Sequence, residues 1–370
     1  MKKIFSVLFV ICWFFNNCTY TYALDVSAKS AIVIDGASKR ILYEKDAYVQ
    51  RGMASTTKII TGLIAIESLN PEDIVSVSHY AASTEGSSIW LSPGENISVN
   101  DLLYGLLLSS GNDAATALAE HTAGSVDAFT VIMNEKAKSI GAANTNFTNP
   151  HGLPDENHYS TAFDMALISA KAMENEYFRE IVKTTNKTIS WESSQWNRSL
   201  SNHNKLLKMY EYSVGIKTGY TKKDGRCLVS CTEKDGGRLI IVTLSAHDDW
   251  NDHINLSNYC LSQYKMEKLC NKNEKVGILI PKKEVTDKIK ILYKDDYITS
   301  LRNEELNNIT KKLEFNPVFP VRAGDKVGEC SIYYENDLIG KVDLISENNS
   351  DVKRDYLTVV KRLTKGIIRQ

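Results

Sequence analysis

The sequence predicts an α/β sandwich, in which one antiparallel sheet is flanked by helices, followed by a small C-terminal domain rich in strands. Two observations lead to this prediction. Runs rich in Val, Ile, Leu and Thr stand at both ends of the first 270 residues, and helical patterns lie between them. After about Asn271 the chain changes to short alternating runs with many Lys and Glu residues. The simplest packing for the first part is a single sheet covered by helices.

The strands of the main sheet come from two separate parts of the chain. The runs KSAIVID (29–35) and RILYE (40–44) flank a Gly-Ala-Ser turn and predict a hairpin. The runs 212–220, 226–232 and 238–246 are separated by KKDG and KDGG turns, which is the pattern of an antiparallel meander. We therefore expect one sheet that combines the hairpin with the meander.

Four helices are predicted between these two groups of strands, and a fifth follows the meander. In the first helix, apolar residues recur at helical spacing until Asn70-Pro71 stops it. Ser160 or Thr161 caps the fourth. The five predicted ranges are 55–69, 101–108, 113–123, 161–172 and 255–264. Strands of the C-terminal domain are predicted at 275–280, 288–293, 326–334 and 338–345.

The N-terminus has the pattern of an export signal. Lys2 and Lys3 precede an apolar run from 4 to 15 that only Ser6 interrupts, and Ala23 is a suitable last residue before cleavage. A dozen apolar residues are too few for an ordinary spanning helix, and the alternative is an uncleaved anchor. In both cases the rest of the chain lies outside the cytoplasm. The predicted organisation is a signal peptide (1–23), a main domain (24–270), a β-rich domain (271–350) and a C-terminal helix (351–370).

Charge and cysteine content argue against nucleic-acid binding, a disulfide-stabilised fold and a Cys/His metal site. The net charge of −1 gives the chain no overall electrostatic attraction for nucleic acid. Five cysteines follow the signal, an odd number that rules out a complete disulfide framework, and we interpret most of them as small buried apolar residues. They do not have the spacing of a Cys/His metal site.

The first motif with chemical content is Ser55-Thr56-Thr57-Lys58, at the start of the first predicted helix. A spacing of three places the Ser55 hydroxyl and the Lys58 amine on the same helix face. Burial disfavours the charged form of a lysine, so Lys58 can act as a base toward Ser55. The alternative is an ordinary capped helix start with a solvent-reaching lysine.

Two further triplets follow. Ser110-Gly111-Asn112 lies where two predicted helices meet, and offers a hydroxyl for proton relay and an amide for a peptide carbonyl. Taken alone it is better explained as an N-capped turn. Lys217-Thr218-Gly219 lies in the first strand of the meander, where a sheet edge can pair with an extended peptide. Its alternative is a plain strand end.

The three motifs together match a known set, S-x-x-K, S-D-N and K-T-G. Their flanks read MASTTKIITGL, LLLSSGNDAATALAE, TNFTNPHGLPDENHYSTAFDMA and VGIKTGYTKKDGRCLVS. With these flanks, residues 27–265 resemble the low-molecular-weight serine D-Ala-D-Ala carboxypeptidases, which are penicillin-binding proteins. The resemblance implies the penicillin-binding/β-lactamase-like fold and removal of the terminal D-Ala from peptidoglycan stem peptides through an acyl-enzyme. It also implies inhibition by β-lactams and no cofactor.

The resemblance implies a role for each motif residue. Ser55 is the acylated nucleophile and Lys58 its base, while Ser110 relays protons and Asn112 positions the substrate. Lys217 and Thr218 bind the terminal carboxylate. The backbone N–H groups of Ser55 and of Tyr220, which follows Gly219, form the oxyanion hole; each such donor is typically worth about 3 kcal/mol in the transition state.

The chain departs from the family pattern in several places. Gly111 replaces the Asp of the second triplet, and Asp224-Gly225 replaces a frequent Ala-Gly. Many members carry an Arg after the last strand that holds the substrate carboxylate, whereas the region 247–253 reads HDDWNDH. That string is similar to a branch of the family associated with sporulation in Gram-positive bacteria.

Three alternatives to the carboxypeptidase are open to test. A β-lactamase needs a general-base carboxylate, and Glu156 lies in the corresponding region of the chain. A zinc peptidase would draw ligands from His247, Asp248, Asp249, Asp252 and His253, although a polar loop before a helix explains the same string. A non-catalytic wall-binding protein would be expected to lose Ser55, Lys58 or Lys217, and all three are present.

The C-terminal tail, 351–370, has one apolar face and six basic residues. This pattern suits a helix that lies on an anionic membrane surface and excludes an ordinary spanning segment. A helix docked on the second domain, or a solvated end, has the same pattern.

Overall fold

The computed structural model of the chain describes residues 24–192, 194–280 and 285–352. The predicted signal peptide and nearly all of the predicted tail helix therefore lie outside the described residues. The helices are α1 (Lys58–Ser68), α2 (His79–Ala82), α3 (Val99–Leu107), α4 (Asn112–Ala123), α5 (Val126–Ile140), α6 (Ala162–Ala172), α7 (Glu176–Lys183), α8 (Leu206–Met209) and α9 (Asp249–Gln263), with 3-10 turns at Ala54–Thr57 and Asn303–Asn308. The strands are β1 (Ser30–Asp35), β2 (Ile41–Lys45), β3 (Ile74–Ser76), β4 (Asn96–Ser98), β5 (Asn186–Ile189), β6 (Arg198–Ser201), β7 (Ser213–Thr221), β8 (Gly225–Lys234), β9 (Gly237–Ala246), β10 (Lys265–Cys270), β11 (Lys275–Leu279), β12 (Ile289–Tyr293), β13 (Tyr297–Leu301), β14 (Ile309–Phe315), β15 (Lys326–Tyr334) and β16 (Asp337–Ser346).

The central sheet has the predicted composition. Its five antiparallel strands run in the order β2-β1-β9-β8-β7, so the N-terminal hairpin joins the meander through β1 and β9. Alternate residues of β1 face opposite sides. Ile32 and Ile34 belong to the large core formed with the helices, whereas Ala31 and Val33 pack in a second core with Leu256 of α9. The predicted fold, a sheet flanked by helices, is confirmed.

The predicted start of the last helix is wrong, because α9 begins six residues earlier than residue 255, at Asp249. The first turns of α9 bury polar side chains, and so the apolar periodicity expected of a helix is absent there. Asp252 accepts hydrogen bonds from the backbone N–H groups of Ser27 and Ala28. The choice of cap on α6 is settled in favour of Thr161, whose hydroxyl accepts from the Asp164 N–H at 3.0 Å.

The C-terminal strands form a sheet of order β11-β12-β16-β15-β14, and β10 pairs with β13. All four predicted strands are present, while β10, β13 and β14 were not predicted. The side chains of β14 are largely exposed, so no alternating pattern marks that strand in the sequence. Cys270 and Cys330 lie in the core of this part. All five cysteines after the predicted signal are buried and free, as the sequence analysis expected.

One carboxylate links the central sheet to the C-terminal strands. Asp35, at the end of β1, accepts hydrogen bonds from the hydroxyl of Thr299 and from both the N–H and hydroxyl of Ser300. Arg40 forms an ion pair of 2.7 Å with Glu305 beside it. Among the described residues, no helix combines the length and apolar character needed to cross a membrane.

Candidate active site

The Ser55 motif begins in a 3-10 turn and not in the α-helix that was predicted to start there. The turn spans Ala54–Thr57, and the α-helix starts at Lys58. The Thr56 and Thr57 hydroxyls donate to the carbonyls three residues before them, at 2.7 and 2.8 Å. Such local side-chain bonds compete with α-helical geometry, which explains the tighter turn. Ala54 adopts φ 48°, so the chain enters the turn sharply and leaves Ser55 partly exposed.

Lys58 is fully buried, and its amine lies within hydrogen-bond distance of three oxygen atoms. Nζ lies 3.0 Å from Ser55 Oγ, 2.6 Å from Asn112 Oδ1 and 2.7 Å from the His151 carbonyl oxygen. Burial holds the pKa of Lys58 well below 10.5, and the nearby charge of Lys217 lowers that pKa further. A neutral amine has two N–H donors and one lone pair. The two carbonyl-type acceptors take both donors, and the lone pair is left for the Ser55 hydroxyl.

The second motif is held between two segments. Asn112 opens α4, and its amide nitrogen donates to the Glu85 carbonyl at 2.6 Å while its oxygen accepts from Lys58. Ser110 is buried in a left-handed conformation with φ 61°. Asp113, which follows Asn112, accepts hydrogen bonds from the backbone N–H groups of residues 89 and 91, at 3.1 Å each, and thereby fixes the loop that contains them against the start of α4. The predicted junction of two helices is confirmed, since α3 ends at Leu107.

The third motif lies on β7, the outer strand of the central sheet. Lys217 is buried, its Nζ donates to the Thr218 carbonyl at 2.9 Å, and burial lowers its pKa to about 7. Gly219 passes close to the nucleophile turn: a Cβ at this position would lie 2.9 Å from the Ser55 nitrogen and 3.1 Å from the Met53 oxygen. Only glycine permits this approach of the strand to the turn.

The three motifs converge on one cleft of about 370 Å³. Five of the eight predicted site residues line it. The other three, Lys58, Asn112 and Lys217, are buried behind it: Lys58 is hydrogen-bonded to Ser55 and to Asn112, and Lys217 directly precedes Thr218. The residues that line the cleft are Ser55, Ser87, Ser110, His203, Lys205, Thr218, Gly219, Tyr220, Arg226, Asp249 and Trp250. The structure therefore brings all the predicted site residues together.

Comparison with known proteins agrees with this geometry. The family model "D-alanyl-D-alanine carboxypeptidase" matches residues 17–248, and the model "Penicillin-binding protein 5, C-terminal domain" matches residues 264–352. The chain is 31% identical to the D-alanyl-D-alanine carboxypeptidase DacF of Bacillus subtilis, over 92% of this chain and 90% of that protein. The chain belongs to the serine D-alanyl-D-alanine carboxypeptidase family.

Solved structures of this family have the same fold. Penicillin-binding protein 5 of Haemophilus influenzae aligns with a TM-score of 0.67 at 25% identity, over 88% of this chain and 98% of that one. The D-alanyl-D-alanine carboxypeptidase DacD of Francisella tularensis aligns with a TM-score of 0.63 at 28% identity, over 89% and 95%. The chain is thus a low-molecular-weight penicillin-binding protein and a serine-type carboxypeptidase.

Several groups of this carboxypeptidase site were not predicted. The His151 carbonyl reaches Lys58 because Gly152, with φ +89°, follows it; a Cβ on Gly152 would lie 1.9 Å from the Ala54 oxygen. His158 supports the same turn. Its Nδ1 accepts from the Thr148 N–H, so its Nε2–H donates to the Thr57 hydroxyl at 2.9 Å. Burial lowers the His158 pKa to about 4, which keeps that ring neutral. The HGLP stretch was the available signal.

The side chains of the HDDWNDH string are directed to separate partners. Asp249 pairs with Arg226, and Asp252 binds the chain near Ser27. His253 is buried between two hydroxyls, those of Ser230 and Thr243. Asp249, Asp252 and His253 thus each have a structural partner of their own. The string is mainly helical, since α9 starts at Asp249, and not the loop that was predicted.

Glu156, the residue considered as a β-lactamase base, is exposed and is not among the residues that line the cleft. An exposed carboxylate outside the cleft cannot hold a water against a Ser55 ester. The fold and cleft therefore give no support to the β-lactamase alternative.

Gly219→Ala is expected to lower the rate of acylation by benzylpenicillin by roughly 100-fold, the loss that a misplacement of about 1 Å can cause at a reacting group. The added methyl group would push the Ser55 nitrogen away from the strand. The control is Gly277→Ala in β11, where a Cβ meets no atom within 4 Å. The measurement is stopped-flow acylation of both variants. Equal acylation rates in Gly219→Ala and the wild type would contradict the expectation that acylation depends on this close approach of β7 to the Ser55 nitrogen.

Proposed function

We propose that this carboxypeptidase acts through Ser55 as acylated nucleophile and Lys58 as general base. The observation that carries the proposal is the fully buried Lys58 amine, 3.0 Å from Ser55 Oγ. Its lowered pKa and the two acceptors that occupy its N–H groups leave its lone pair for the Ser55 proton. A base within hydrogen-bond reach of the nucleophile is the requirement for this type of catalysis.

The remaining site residues are proposed to act on the substrate. Ser110 passes a proton to the leaving amine, and Asn112 orients the peptide. Lys217 and Thr218 bind the terminal carboxylate. The backbone N–H groups of Ser55 and Tyr220 stabilise the oxyanion, a role supported by the close approach of Gly219 to the Ser55 nitrogen.

The proposed substrate is a peptidoglycan stem pentapeptide that ends in D-Ala-D-Ala. Ser55 Oγ attacks the carbonyl carbon of the penultimate D-Ala while Lys58 takes the hydroxyl proton. The C–N bond then breaks, the proton passes to the nitrogen, and D-Ala leaves. Water hydrolyses the resulting ester and restores Ser55. The product is a tetrapeptide stem, whose remaining D-Ala now ends in a free carboxylate and can no longer act as the acyl donor in this type of cross-linking.

Benzylpenicillin provides the test. The opened ring of the drug remains attached to the serine as an ester. Intact-mass analysis over several hours should therefore show one adduct with the full mass of the drug, and peptide analysis should locate it on the Ser55 peptide. D-Ala release from diacetyl-Lys-D-Ala-D-Ala should occur in the same preparation. Rapid consumption of the drug without an adduct would point to a β-lactamase. An unmodified protein with intact drug would contradict the acyl-enzyme proposal.

The same proposal includes an extracytoplasmic location. Support comes from the basic and apolar N-terminal pattern of residues 1–23. Mass analysis of the protein recovered from the cell envelope should give a mature chain that starts at Leu24.

We further propose a role in sporulation, supported only by the HDDWNDH string at 247–253. Expression confined to sporulating cells is the expected result, and expression only in vegetative growth would contradict it.

Removal of residues 351–370 is expected to abolish membrane-surface binding and to leave D-Ala release unchanged. The tail carries six basic residues, each worth about 1 kcal/mol near an anionic surface. The measurement is cosedimentation with phosphatidylglycerol vesicles, with phosphatidylcholine vesicles as the uncharged control. Equal sedimentation of the full and shortened chains would contradict a surface anchor and favour a solvated or docked tail.

A further inference from the structure

We infer that Arg226 binds the terminal carboxylate of the substrate, and that Asp249 holds Arg226 in position. The inference rests on the proposed function, because it concerns recognition at the same cleft. No arginine occurs in the region 247–253 after the last strand of the sheet. Arg226 approaches from another element, the start of strand β8, and lines the cleft together with Ser55 and Thr218.

A carboxypeptidase must distinguish a free terminal carboxylate from a peptide bond, and this requires a cation at the end of the cleft. Two of the nearby lysines are poor candidates for that role on their own. Lys58 is buried and hydrogen-bonded to Ser55. Lys217 is buried and its Nζ already donates to the Thr218 carbonyl at 2.9 Å, so it can assist at the carboxylate but presents no fork of its own. Arginine keeps its charge at every accessible pH and presents a planar fork that matches a carboxylate.

The strand register places Arg226 at the correct end of the third motif. Arg226 pairs with Tyr220 across β7 and β8, and directly opposed residues share one face of a sheet. Thr218, two residues before Tyr220, lies on that face as well. The Thr218 hydroxyl and the Arg226 guanidinium therefore border the same side of the cleft, next to the strand edge along which an extended peptide would pair.

The guanidinium is fixed on one side and available on the other. Nε donates to Asp249 Oδ1 at 2.7 Å, and the Asp249 side chain is 4% exposed. The guanidinium carbon lies 5.7 Å from the centre of the Trp250 ring. The Arg226 side chain is 41% exposed, and among the described residues its two terminal nitrogens have no protein hydrogen-bond partner. This geometry leaves two parallel donors for a carboxylate.

Lys205 is the rival cation, since it also lines the cleft and is exposed. It has no fixed partner comparable to Asp249 among the described residues. A carboxylate bound by Lys205 would meet a point charge on a flexible stem, without the fork. The two candidates can be separated with substrates that differ only in the leaving group.

The test compares kcat/KM for diacetyl-Lys-D-Ala-D-Ala with that for diacetyl-Lys-D-Ala-p-nitroanilide, which lacks the carboxylate. Arg226→Ala should lower kcat/KM for the first roughly tenfold to a hundredfold, the effect of one charge-assisted hydrogen-bonded contact, and leave the second within about twofold. Arg226→Lys should recover only part of the loss. Asp249→Asn should raise KM for the D-Ala substrate more than it lowers kcat. Lys205→Ala should keep the wild-type ratio of kcat/KM between the two substrates.

Two results would overturn the inference. One is an equal loss on both substrates in Arg226→Ala and Arg226→Lys, which would indicate a structural role. The other is that Lys205→Ala, and not Arg226→Ala, loses the preference for the D-Ala substrate over the p-nitroanilide. Failure of the proposed function is recognised separately, because the wild-type protein would then form no benzylpenicillin adduct on Ser55.

Discussion

Replacing Ser55 by alanine is expected to abolish both D-Ala release and the benzylpenicillin adduct. The variant lacks the oxygen that forms the ester, and no other hydroxyl is hydrogen-bonded to the Lys58 amine among the described residues. Turnover should fall by roughly 10⁴-fold or more, the size of effect seen when a serine nucleophile is removed. D-Ala release is measured with a D-amino-acid oxidase assay, and the adduct by intact mass.

The matched control is Ser139→Ala on α5, an exposed serine whose hydroxyl only donates to the Lys136 carbonyl. It should keep full activity. Both variants should unfold at the wild-type temperature, since Ser55 is only partly buried and Lys58 keeps its two carbonyl-type acceptors. An adduct that persists in Ser55→Ala would assign the nucleophile to another residue.

Lys58→Arg is expected to lower acylation roughly 10²- to 10⁴-fold, the range for loss of a general base. The guanidinium can still donate to Asn112 and to the His151 carbonyl, so the buried acceptors keep donors. It remains protonated at every pH used and cannot take the Ser55 proton. The measurement is the pre-steady-state rate of acylation by benzylpenicillin. Wild-type rates in this variant would exclude Lys58 as the base.

The pH dependence gives an independent check on Lys58. Only the neutral amine accepts a proton, so the wild-type acylation rate should rise as the pH rises through the Lys58 pKa and fall at acid pH. This rising limb should be absent in Lys58→Arg, whereas the exposed-site control Lys138→Arg should retain it. Between the lowered pKa of folded Lys58 and 10.5, the unfolded chain holds a proton that folded Lys58 has released, so within this window the free energy of unfolding rises with pH.

Local signals were sufficient to predict the central sheet. The Asp-Gly and Gly-Gly turns at 224–225 and 236–237 fix the meander within a few residues of each strand end. The N-terminal hairpin is equally local. The 3-10 turn at Ser55 could not be predicted in this way, because two threonine hydroxyls bonded to carbonyls three residues earlier decide the geometry. Hydroxyl orientation leaves no trace in hydrophobic periodicity.

The motif residues of the site were predictable from the resemblance, but the groups that hold them were not. Asn112 meets Lys58 over a separation of 54 residues, and the His151 carbonyl meets it over 93. A backbone carbonyl has no residue identity that a motif can report. The placement of Arg226 could not be predicted for a related reason: the resemblance points to a cation after the last strand, whereas Arg226 of the neighbouring strand β8 lines the cleft.

The buried cysteines have a consequence for how the protein can be studied. Burial raises the pKa of Cys227, Cys231 and Cys260 to about 12, and the thiolate is the form that reacts with alkylating agents and oxidants. These three thiols therefore stay unreactive while the sheet is closed. Two of them lie on β8 itself, the strand that carries Arg226. The rate at which a maleimide labels them under native conditions would report how often the catalytic sheet opens, without any introduced probe.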